Sequence, residues 1–309
     1  MFNKMDTRWL HIALVVIFIA SISHAEMYDS LEHNDNNWTN EKSNKRLTTY
    51  EAIDKLKWEY AIIMSGVFYT GITKWNWGSS NSFKFNSEGW FQMDTGSAGA
   101  DKLGHMYSSY LINEFFNKRL LGKSDDVLGA GLYSALFSGS VMLLIEVWDG
   151  YSVDHGFSYE DLLFNSLGIG VSFLKNTVAG MDDKIDLRVE YHPTQEYRDH
   201  PITDYSGYWY SAVLRAGGFE GLQSTPLKYF ELLVGYHAEG FKENEAYYYD
   251  EMRTEVYMGI GLNLTELLFK PLKRYTDSSL VDYPDTFFRY YQTQYTYIST
   301  SAHERTAPY

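Results

Sequence analysis

Apolar side chains recur at spacings of three and four between residues 48 and 175, then regroup after residue 186 into short runs with partial alternation. The chain therefore predicts helices first and strands second. Thr48-Thr49-Tyr50-Glu51 has the form of a capping box, in which hydroxyl and carboxylate each satisfy an orphan backbone N–H, and a helix to about Thr70 follows. Residues 71–96 are rich in Gly, Ser, Asn and Trp and predict a long loop with extended pieces at Phe83 to Phe85 and Trp90 to Met93. Loops of that length usually carry function. Helical spacing resumes from Ala100 to about Leu121, where Gly122 stops it. A third helix is predicted from Ser124 as N-cap, with Asp125 and Asp126 in its first turn, to Asp149 before Gly150. Its centre is nearly uncharged and rich in Gly, Ala and Ser, a texture shared by buried core helices and by membrane-embedded ones packed through small residues. Ser158-Tyr159-Glu160-Asp161 is a second capping box, with Phe157 and Leu162 placed as a hydrophobic staple, and opens a helix to about Lys175.

After Asn176 the runs 186–192, 208–217, 228–238 and 253–264 are rich in Val, Leu and Tyr and predict antiparallel strands. Tyr229 to Tyr236 and Glu255 to Leu262 also resemble spans of a bacterial outer-membrane barrel, with aromatic residues near their ends. Four such runs are too few to close a barrel of eight strands, so an ordinary sheet packed on the helices is the favoured arrangement. The expected fold class is α+β: a helical N-terminal domain of about four helices, residues 47–178, followed by a smaller antiparallel region, residues 179–275. Residues 276–309 form a polar, aromatic tail with no assigned structure.

Lys4 and Arg8 precede an apolar stretch from Ile12 to Ala20, and Ser23-His24-Ala25 resembles a cleavage site, so residues 1–25 are expected to be a secretory signal. Residues 26–46 read as a polar leader. With 40 Asp and Glu against 26 Lys and Arg, the formal net charge is −14, which argues against holding nucleic acid or anionic headgroups by bulk charge. Any such contact has to be local. Aromatic residues make up 17%, a surplus suited to places where one end of a ring is dry and the other wet. The absence of Cys removes disulfides, thiolate metal sites and the acceptor for an N-terminal lipid. The expected location is thus exported, periplasmic or associated with the outer membrane, and not lipidated.

Candidate chemistry lies in polar residues set inside apolar helices. Asp101 and His105 are four apart and share a helix face, with Lys102 adjacent; Glu146 and Asp149 are three apart at the end of the apolar helix; Asp161 and Asn165 are four apart, followed by Gly168 and Gly170, where another backbone has room to approach. If these helix ends converge, they form a polar cluster of Asp101, Lys102, His105, Glu146, Asp149, Asp161 and Asn165. Three readings stay open. The cluster is an inert buried network, with Asp101 or Asp149 paired to Lys102; a ligand or metal site for one divalent cation; or an acid–base centre acting on a phosphate or acyl ester. His105, Glu146 and Asp149 are the candidate metal ligands and the candidate catalytic groups. For Asp161 the capping box alone supplies an explanation. Asp154 and His155 are further potential ligands in a polar turn. The common hydrolase and phosphate-loop signatures are absent from the sequence.

Several blocks carry a resemblance. Glu88-Gly89-Trp90-Phe91, Gly99 to His105, Glu146 with Asp149-Gly150, Gly156-Phe157-Ser158, Asp161-Leu162 and Asn165 to Gly168 resemble the YfiM-like family of predicted periplasmic lipoproteins, over roughly residues 60–175. A sparser set, Asp101, Lys102, His105, Glu146, Asp161, Asn165 and Gly168, is similar to VanZ-like membrane proteins. The resemblance implies a place in the bacterial envelope and leaves the reaction open. A binding or structural module of the envelope is expected first, an enzyme acting on a lipid or cell-wall precursor second, with an envelope lipid or membrane protein as partner and no nucleic acid.

Overall fold

The computed structural model describes residues 46–194, 201–242, 245, 249–276 and 278–308. The expected signal segment and nearly all of the polar leader lie outside them. The architecture is α+β: four helices over residues 49–177 precede a five-stranded antiparallel sheet. One compact unit holds the described residues up to Trp90 together with Lys102–Ala179; a second holds Phe91–Asp101 and the described residues from Gly180 onward.

In the helical unit, α1 (Thr49–Lys74) starts at the expected capping box, with both arms formed between Thr48 and Glu51. Helix α2 spans Ala100–Leu121 and α3 spans Val127–Asp149. The cap of α3 corrects an expectation. Asp126, not Ser124, is the N-cap: its carboxylate accepts the Gly129 N–H at 2.9 Å and the Leu47 N–H at 2.7 Å, while the Ser124 hydroxyl accepts the Asp126 N–H at 3.2 Å. An ionised oxygen outcompetes a hydroxyl for these orphan donors. The two N–H bonds hold the Asp126 carboxyl below its ordinary value.

Helix α3 buries its small and polar residues, Ala130, Gly131, Ser134 and Ser138, and exposes Leu128, Leu132, Leu136 and Leu143. By length and composition it is the one helix among the described residues long and apolar enough to cross a membrane. Its buried face meets a polar interior. Ser138 Oγ donates to Asn113 Oδ1 at 3.2 Å, Asn113 Nδ2 to Ser172 Oγ at 2.8 Å, and Ser172 Oγ to Glu114 Oε1 at 2.7 Å. Lys175, fully buried, closes this chain on Glu114 at 3.0 Å and on the Tyr110 hydroxyl at 2.8 Å.

Helix α4 (Tyr159–Thr177) crosses α2 at Gly168. A Cβ there would sit 2.0 Å from the Met106 carbonyl oxygen and 2.2 Å from Ser109 Oγ, so only glycine permits this approach. Gly170, expected to do the same, has open space beside it. The loop after α1 is threaded onto the α3–α4 turn by backbone bonds from Lys84 N to Gly150 O (2.9 Å), Asn86 N to Phe157 O (3.0 Å) and Phe157 N to Lys84 O (2.9 Å).

In the second unit the strands are β1 (Ile185–Tyr191), β2 (Tyr208–Arg215), β3 (Phe230–Glu239), β4 (Met252–Leu262) and β5 (Tyr297–Ala307), an antiparallel meander in chain order. Helix α5 (Ser279–Tyr290) packs against β1. Neither α5 nor β5 is expected from the sequence. The interior of α5 contains Pro284, and β5 is exposed along nearly its whole length, so it lacks apolar alternation.

The sheet buries charge on one face. Arg188 forks onto Glu231 with bonds of 2.5 and 3.0 Å, and Arg215 Nε lies 3.2 Å from Asp186 Oδ2. The pairs balance in sign. The alternate residues, Leu214, Leu232, Val234, Met258 and Ile260, point the other way and are exposed.

Candidate functional site

Three helix ends meet in the helical unit: the start of α2, the end of α3 and the start of α4. The Gly168 crossing draws α4 onto α2 one turn beyond Asn165, which sets Asn165 beside His105. His105 Nδ1 lies 3.3 Å from Asn165 Oδ1 and 3.4 Å from Glu146 Oε1, and its Nε2 lies 4.0 Å from Asp161 Oδ2. Asn165 Nδ2 donates to Glu146 Oε1 at 3.3 Å, fixing the amide between imidazole and carboxylate. Lys102, wholly buried, places Nζ 2.9 Å from Glu88 Oε2 and 2.9 Å from Asp161 Oδ1.

The inert-network reading pairs Asp101 or Asp149 with Lys102; Lys102 forms ion pairs with Glu88 and Asp161. Asp101 accepts from Ser97 Oγ at 2.5 Å and groups with the other unit. Asp149 accepts the Trp77 indole N–H at 2.6 Å. Asp154 takes the Asn76 amide at 2.5 Å.

The capping-box explanation of Asp161 is also corrected. Ser158 Oγ accepts the Asp161 N–H at 3.2 Å as expected, but the reciprocal Ser158 N–H is bonded by Glu146 from α3. A buried carboxylate reaching in from a neighbouring helix thus takes the place of the N3 side chain, and the Asp161 carboxylate is left to face Lys102 and His105.

Electrostatics separate this cluster from a self-contained network. Burial pushes the Glu146 carboxyl up to about 9, Asp161 and Asp149 push in the same direction, and bonds from the Ser158 N–H and Asn165 offset only part of it. Burial likewise raises Asp149, against the Trp77 bond and the charges of His155 and His105. Glu146 at neutral pH therefore holds a proton or some other cation. His105, Glu146 and Asp161 each offer a ligand atom, all within 4.8 Å of one another. One imidazole nitrogen and two carboxylate oxygens make a donor set suited to a borderline divalent metal. The His105 side chain is 19% exposed while Glu146 and Asp161 are buried, so the cluster is reached from the imidazole side.

Glu88 and Trp77 are missed as site residues by spacing arguments, because both belong to the loop after α1. The length of that loop is the signal that points to them.

A helical unit closed around a buried lysine, histidine and carboxylate cluster defines the class. Residues 87–177 match the model of a family described as predicted periplasmic lipoprotein (DUF2279). The matched span contains Glu88, Lys102, His105, Glu146, Asp149, Asp161 and Asn165, and it supports an uncharacterised periplasmic family. This description overturns the expectation of an unlipidated protein: the family is one of lipoproteins, and the lack of cysteine speaks only for the 309 residues in hand. Export to the periplasm agrees with it. Neither the curated proteins nor the solved structures include a match to this chain.

Proposed function

We propose that the helical unit is a cation-binding module of the bacterial envelope, in which His105, Glu146 and Asp161 hold one divalent metal. Lys102 orients Asp161, and Asn165 orients both His105 and Glu146. The observation that carries this reading is the group of three ligand atoms within 4.8 Å, one of them on a carboxylate that burial and two neighbouring acids drive to take up a positive charge. The blocks that resemble YfiM-like and VanZ-like proteins include these residues and lend support. Elemental analysis of the full chain, purified without chelator, should find near-stoichiometric metal that is lost in His105→Ala. Metal absent from the wild type, or retained in the variant, would contradict the proposal.

A second reading rests on the same carboxyl. A Glu146 that keeps its proton to about pH 9 beside an accessible imidazole is a general acid poised for a phosphate or acyl ester, such as a lipid or cell-wall precursor. It predicts ester hydrolysis by metal-free protein, abolished in Glu146→Gln with the fold intact by circular dichroism.

A further inference from the structure

The sheet presents to solvent the face that a water-soluble protein would bury. Leu214, Leu232, Ile260 and Ile298 stand opposite one another on successive strands and form one straight apolar row. Val234 pairs with Met258 in the next row, and Phe230 with Leu262 in another. These residues are exposed, Leu232 by 55%, Ile260 by 50% and Ile298 by 77%. The opposite face holds the Arg188–Glu231 and Arg215–Asp186 pairs, all four residues buried. Water selects the reverse arrangement, with charge outside and leucine inside.

Further apolar side chains are exposed next to the strands. Asn263 N bonds Tyr229 O at 2.8 Å, joining the segment after β4 to the one before β3, and from these segments Leu227, Leu267, Leu268 and Leu272 are exposed. Arg274 lies among these leucines and is exposed, Lys270 is exposed and paired with Glu266, Lys273 is half-buried on Asp282 and Asp285, and Tyr275 follows, 88% exposed. Leucines bordered by lysine, arginine and tyrosine match the chemistry of a bilayer boundary, where acyl chains meet anionic headgroups.

We propose that this end of the sheet's apolar face is seated in the acyl chains of a lipid bilayer, with Arg274 and Tyr275 at the headgroups. The proposal is independent of the cation site, which lies in the other unit.

The chain has no native cysteine, so one introduced thiol labels one position. Full-length Leu232→Cys carrying a nitrobenzoxadiazole label is mixed with vesicles of phosphatidylcholine and phosphatidylglycerol at three to one. Transfer of the probe from water to hydrocarbon should raise its emission at least about twofold and make it quenchable by nitroxide-bearing acyl chains. A label at Ser299→Cys, on the alternate face, should not change. Should Leu232→Cys fail to fold, Ile298→Cys on the edge strand serves the same purpose. Emission that ignores vesicles overturns the proposal, as does emission that rises with protein concentration in their absence, which would assign the face to a second copy of the chain.

Discussion

The two units bury charge in different ways. On the buried face of the sheet Arg188 meets Glu231 and Arg215 meets Asp186, so each guanidinium has a carboxylate. In the helical unit the Lys175–Glu114 pair is balanced in the same way, yet a short distance along the same helices Lys102 is shared between Glu88 and Asp161, and Glu146 has His105 and Asn165 for company. Burial alone therefore does not mark a site. A carboxyl raised by burial and neighbouring acids with no lysine or arginine to offset them, as Glu146 is, does, because a low-dielectric interior must neutralise it with a proton or a metal.

Removing the cation should have the largest effect. Lys102→Met leaves the buried Asp161 carboxylate beside the part-exposed Glu88 without its lysine and should cost about 3–5 kcal/mol in denaturant unfolding. A loss under about 1 kcal/mol would show that the cluster is wetter than its burial indicates.

The pH dependence comes next. The Glu146 carboxyl is raised from 4.5 to about 9 in the folded chain, so the folded state binds the extra proton. This contribution to stability is fully present below pH 4.5 and is lost as pH rises through about 9. Metal-free wild type should lose on the order of a few kcal/mol across that window, and Glu146→Gln should flatten the slope. A slope equal in both proteins would assign the titration elsewhere.

Gly168→Ala should cost about 1–3 kcal/mol, since the new methyl collides with the Met106 carbonyl and Ser109. It should also weaken metal retention, because the crossing at Gly168 sets Asn165 against His105; Gly170→Ala, with open space around it, should do neither. The smallest effect is expected at the start of α3. Asp126→Ala should cost about 1 kcal/mol through the lost cap and leave metal content unchanged.

The sequence shows most of this frame and only part of the site. Helix starts at Thr48 and Ser158 are local chemistry, so capping patterns find them. Ser124 was favoured over Asp126 because nothing local reveals that Leu47, far back in the chain, brings a second N–H to the aspartate. Strand β5 is invisible to a hydrophobic pattern, since an exposed edge strand has no buried face to alternate with. His105, Glu146, Asp161 and Asn165 stand out as polar residues in apolar helices. The local pattern nevertheless accounts for Asp161 by a capping box, because the competitor for the Ser158 N–H comes from another helix.

The most direct test of the charge imbalance is the proton count on metal binding. Zinc is titrated into metal-free full chain at pH 7 by calorimetry, in two buffers that differ in ionisation enthalpy. If Glu146 enters the fold protonated and becomes a ligand, binding should release about one proton per metal, and Glu146→Gln should bind more weakly with that release gone. Zinc that fails to bind, or binds to wild type without releasing a proton, would contradict it.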